Sequence, residues 1–115
     1  LLIEDVTGMP FAEWMKKTIL DPIGMKQSTF ANPLPEGLVD KAATAYTLDG
    51  NQVKGKWLVY PEKAAAGLWT TPSDLIRSIA FIAKTYLDDP NRPMLISSKL
   101  MREMLTIQKY KYGLG

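Results

Sequence analysis

Five serines, twelve carboxylates and fourteen Lys or Arg side chains make up the reactive groups of this 115-residue chain, which has neither Cys nor His. Without His, the commonest general base and the commonest nitrogen ligand for a metal are missing. Without Cys there is no thiolate nucleophile, disulfide or thiolate metal site. A serine nucleophile would then need a Lys or Tyr as its base. No serine has a Lys three positions on: Ser28, Ser73, Ser78, Ser97 and Ser98 are followed there by Ala31, Ile76, Phe81, Leu100 and Met101. Gly-x-Ser-x-Gly, Tyr-x-Asn, Lys-Thr-Gly and Lys-Ser-Gly are all absent, Lys84-Thr85 running into Tyr86. The carboxylates adjoin as Glu4-Asp5 and Asp88-Asp89. Neighbours on a helix point to different faces, so these pairs read as solvated surface. No catalytic residue, metal ligand or cofactor site is expected in this chain.

Groups suited to binding are more evident. Trp57 and Trp69 flank the least regular segment, where either lines a pocket or wedges a loop onto the core. Met101 and Met104, at helical spacing, read as core. A net charge of +2, with basic residues scattered, gives no nucleic-acid footprint. No apolar run reaches the length of a membrane span, and no signal peptide is visible.

The elements that would position these groups are mainly helical. Leu1, Leu2, Ile3 and Val6 share a face of a helix that Gly8 terminates. A second helix is predicted over 10–20, with Phe11, Trp14, Met15 and Thr18 or Ile19 inward, ended by Asp21-Pro22. "DPIGMKQSTF" reads as a turn plugged by Ile23, Met25 and Phe30, and "ANPLPEGL" as a loop. "TAYTLDGNQVKG" predicts a short hairpin about Asp49-Gly50. The strongest signal is a helix over 72–87. Thr71 is its N-cap, Pro72 its first residue, and Asp74 lies near the positive end of its dipole. Because dipole interactions are partly screened, loss of Asp74 is expected to matter less than loss of Thr71. Two apolar rows, Leu75/Ile79/Ile82/Tyr86 and Ile76/Ala80/Ala83/Leu87, predict burial over much of the surface of this helix. Ser97 caps a shorter helix to 106 with Leu100, Met101, Met104 and Leu105 inward. "YKYGLG" alternates like the start of a strand.

Three segments, in order, resemble one family. "LLIEDVTGMPFAEWMKKTILDPIGMKQSTF" carries Val6-Thr7-Gly8 and then Pro22-Ile23-Gly24-Met25 with Thr29 close behind. "AAAGLWTTPSDLIRSIAFI" carries Ala66-Gly67-Leu68, Thr70-Thr71 and Asp74-Leu75. "MLISSKLMREMLT" precedes Tyr112-Gly113-Leu114-Gly115. Together they resemble the beta-lactamase-related serine hydrolases, which include class C beta-lactamases, D-Ala-D-Ala carboxypeptidases, D-aminopeptidases and beta-lactamase-fold esterases. Ile23 in place of Leu, and Ala66 in place of the first Gly of a pair, depart mildly from the family pattern. The resemblance implies that the nucleophilic Ser and its Lys lie upstream, that Tyr-x-Asn lies just before Leu1, and that Lys-Thr-Gly or His-x-Gly lies beyond Gly115. It also places Glu62, Lys63, Ala65 and Ala66 at the active-site rim, where they would touch substrate. The alternative for these four is an ordinary surface loop.

The expectation is therefore one fragment over 1–115, mainly α with one short β-hairpin. It would be the helical part of a beta-lactamase-like α/β serine hydrolase fold, inactive alone. The intact protein would act on a small-molecule or peptide substrate through an acyl-enzyme, and the resemblance allows a periplasmic or extracellular location. Self-association is expected, because the family's helices pack on a sheet. The rival is a free-standing helical interaction module. The lack of a cap or an initiator Met at Leu1, and of a polar tail, argues for the fragment.

Overall fold

The computed structural model describes residues 2–113 and divides into two units, each assembled from two stretches of chain. The first comprises the residues up to Met15 with Thr29–Trp69, and the second Lys16–Ser28 with the residues from Thr70 onward.

In the first unit, α1 (Leu2–Thr7) ends at Gly8, whose φ of 66° is the left-handed conformation of a helix C-cap. The Gly8 N–H bonds the Glu4 carbonyl at 2.8 Å. The Glu4 side chain reaches on to the backbone N–H of Phe11 at 2.9 Å, satisfying an open donor at the start of α2 (Phe11–Met15). Phe11, Phe30 and Leu34 are the buried apolar residues here, and the Phe11 and Phe30 rings meet edge to face with centroids 5.2 Å apart. Single helical turns follow at α3 (Glu36–Val39) and α4 (Lys63–Ala66). The segment predicted as a hairpin turns at Asp49-Gly50 and makes one antiparallel bridge, Tyr46 to Gln52. No strand occurs among the described residues. Tyr46 and Leu48 stand in solvent, so no apolar face drives further pairing of an isolated ribbon.

In the second unit, residues predicted to continue an α-helix wind instead as a π-helix, Lys16–Leu20. The wider turn brings Lys16 and Asp21, five apart, into an exposed ion pair at 2.6 Å. Leu20, Met25 and Met101 supply the buried apolar side chains of this unit.

The long helix α5 (Pro72–Tyr86) begins as predicted: Thr71 Oγ1 accepts the Asp74 N–H at 3.2 Å. Its inward face differs from the prediction. Asp74 is 1% exposed and Thr85 0%, and Ser78 and Phe81 between them are half-buried. Both rows predicted to be buried face outward, with Ile79 59% and Leu87 74% exposed. Periodicity identifies the stripe that seeks cover; what covers it depends on tertiary partners, and in this chain the Asp74 row takes the inner side. Asp74 earns that place chemically. Its carboxylate accepts the Gln27 N–H at 2.7 Å and the Ser28 hydroxyl at 2.8 Å, and pairs with Arg77 at 2.8 Å.

Helix α6 (Ser98–Leu105) packs on α5, its first turn capped by Ser97 Oγ accepting the Leu100 N–H at 3.1 Å. Met101 is buried and Met104 half-buried, but Leu100 and Leu105, predicted inward, are exposed because α6 is covered along one edge. Ser98 donates to Asp88 and accepts from Arg92 at 2.9 Å, tying the α5–α6 connection together. After α6 the chain forms a tight turn bridged at Lys109 and Tyr112 rather than a strand. Leu1, Leu114 and Gly115 lie outside the described residues.

Candidate functional site

Within the first unit, two reciprocal backbone hydrogen bonds at 2.9 Å join Thr29 to Trp69 and close the segment between them. Against Trp69 stands Trp57, ring centroids 5.0 Å apart and planes at 73°. Both rings line a cavity of about 370 Å³. That volume is at the low end of small-molecule sites, roughly 300–1,000 Å³.

Phe30, Leu34, Val39, Leu58, Val59 and Tyr60 also line it, with the amide side chain of Asn32. Of the residues expected at a substrate rim, Lys63 and Ala66 line the cavity. Glu62 is exposed at the N-cap position of α4, where its side chain makes no capping bond, and Ala65 is exposed outside the lining. α4 holds its two lining residues through Ala66 N–H and Gly67 N–H bonds to the Glu62 and Lys63 carbonyls, each at 2.9 Å.

Gly67 fixes that turn for a steric reason. A Cβ there would lie 2.5 Å from the Lys63 carbonyl oxygen, so no other residue fits without moving backbone. Of the described lining residues Lys63 alone carries charge, and none is a Ser. Glu4 sits elsewhere in the same unit. Its carboxyl is held below the ordinary value of 4.5, first by the Phe11 N–H and more weakly by the positive charge of Lys63. The arrangement is a largely apolar, aromatic recess with one ammonium group.

The family resemblance pointed to this region through Lys63 and Ala66, and the residues themselves through the two tryptophans. It gave no sign of Phe30, Leu34 and Val39, which reach the cavity only because the Thr29–Trp69 bridge brings distant chain together. Among the described residues there is no cluster of three or more metal-ligating side chains, and no helix is long and apolar enough to cross a membrane.

Comparison with known proteins places this geometry in context. A family model described as beta-lactamase matches residues 1–112. Curated proteins of Salmonella paratyphi B, Salmonella newport and Salmonella agona, each provisionally named D-alanyl-D-alanine carboxypeptidase, are 34% identical to the chain over 68 residues. The matched stretch is 59% of this chain and 15% of each relative.

Proposed function

The chain belongs to the beta-lactamase family, and from that premise we propose that it forms one wall of the substrate cleft of an acyl-transferring serine hydrolase. In such an enzyme a serine attacks an ester, amide or lactam carbonyl as a neighbouring base takes its proton, and backbone N–H groups stabilise the oxyanion. This chain has no Ser with a Lys three positions on, so its contribution is to hold the acyl donor rather than to attack it. The observation that carries the reading is the cavity in which Lys63 and Ala66 meet the Trp57–Trp69 pair.

The test uses the longest natural protein that contains this sequence. Specificity constants would be measured over nitrophenyl esters, a lactam and a D-alanyl-D-alanine peptide, the last suggested by the relatives' names. Lys63→Ala is expected to reorder these substrates while the melting temperature holds. A uniform loss that tracks a lower melting temperature would favour an ordinary surface loop. The 115-residue chain alone is expected to hydrolyse none of them above background. The rival reading, a helical interaction module, draws support from the exposed rows of α5. It would prevail if the chain proved self-sufficient and the longer protein inert.

A further inference from the structure

We propose that the cavity beside Lys63 binds a carboxylate carried on an aromatic group, the ring seated against Trp57 and Trp69 and the carboxylate paired with the Lys63 ammonium. The inference rests on the cleft-wall reading for its biological role; the binding itself is argued from the cavity alone.

Three observations carry it. First, the two indoles both line the cavity and stand at 73° to one another with centroids 5.0 Å apart. A flat aromatic guest can stack on one and meet the other edge-on, the two favoured aromatic geometries. Second, Phe30, Leu34 and Val39 add apolar lining, and the polar lining side chains Asn32 and Tyr60 are uncharged. Third, Lys63 is the charged residue of the described lining; it forms no salt bridge among the described residues, and the Glu4 carboxylate feels its charge only at longer range. One ammonium group matches a singly charged carboxylate. A phosphate, doubly charged near neutral pH, would call for a second cation or a guanidinium fork, and the described lining has Lys63 as its one charged group beside the neutral donors of Asn32 and Tyr60. The volume of about 370 Å³ suits one ring on a short chain rather than an extended ligand.

The test is direct binding to the 115-residue chain in a Trp14→Phe background, so that indole fluorescence reports Trp57 and Trp69. The probes are 3-phenylpropanoate, its neutral amide, and hexanoate. Saturable quenching by 3-phenylpropanoate is expected, with the amide about tenfold weaker, as for loss of a charge-assisted hydrogen bond. Lys63→Gln should remove that preference and Lys63→Arg should restore it, with near-ultraviolet circular dichroism showing the fold intact in each. Equal affinity for acid and amide, or indifference to Lys63→Gln, would overturn the carboxylate assignment. Hexanoate binding as tightly as 3-phenylpropanoate would overturn the aromatic one, and absence of saturation would overturn both. None of these results bears on hydrolysis, which the kinetic comparison above tests separately.

Discussion

The Ser28 hydroxyl donates to the Asp74 carboxylate at 2.8 Å, joining residues 46 apart in sequence. That bond, with the Gln27 N–H at 2.7 Å on the same oxygen, anchors the start of α5 to the distant turn that ends at Ser28.

Thr71→Ala removes the cap on α5 and is expected to destabilise by about 0.5–2 kcal/mol. Asp74→Ala should destabilise more, by about 2–4 kcal/mol, because it strands buried donors as well as weakening the helix start. This reverses the order expected from dipole screening alone. Urea melts of both variants check it; equal midpoints would show that the Asp74 contacts add nothing to the cap.

Thr85 is fully buried and its hydroxyl has no hydrogen-bond partner among the described residues. Thr85→Val replaces the hydroxyl with a methyl group of similar size. It should stabilise by about 1 kcal/mol, the lower part of the penalty for an unsatisfied buried polar group. A lower melting temperature would reveal a bond formed in solution.

The Asp88 carboxyl is held below its ordinary value of 3.8, first by the hydrogen bond from Ser98 and then by the charge of Arg92. A carboxylate with a depressed pKa adds stability that is complete above the unfolded value and is lost as pH falls through the folded one. Asp88→Asn is therefore expected to lower the urea midpoint at pH 6 and to converge with the parent as pH drops below about 3.8. A constant gap between the two down to pH 2 would assign the effect to packing.

The outward rows of α5, with Ile76, Ile79 and Leu87 well exposed, form an apolar face of the kind that promotes association. The isolated chain should therefore sediment as a concentration-dependent oligomer, and Ile79→Lys should return it to a monomer. A constant monomer mass over a hundredfold concentration range would show that the face is tolerated in water.

Helix α5 also shows how far the sequence could be read. Thr71, Pro72 and the 3.6-residue rhythm located the helix and its first residue, because capping and periodicity are local properties. Which stripe faced inward was not local. The carboxylate of Asp74 was decided by partners at Gln27 and Ser28, far away in the chain. The same division holds at the cavity. Lys63 and Ala66 were singled out by the family resemblance, whereas Phe30 and Val39 join the lining through long-range closure. At Asp49-Gly50 the turn was legible, but a turn alone does not make strands when the flanking side chains have nothing to cover.

The Thr29–Trp69 bridge has an evolutionary consequence. Every residue lining the cavity falls between Phe30 and Trp69, so the recess is a single looped cassette with both ends fastened at one place. Lengthening a closed loop adds little entropy penalty, about 0.6 kcal/mol per doubling. Insertions and deletions within residues 30–68 can therefore reshape the recess while its attachment stays fixed.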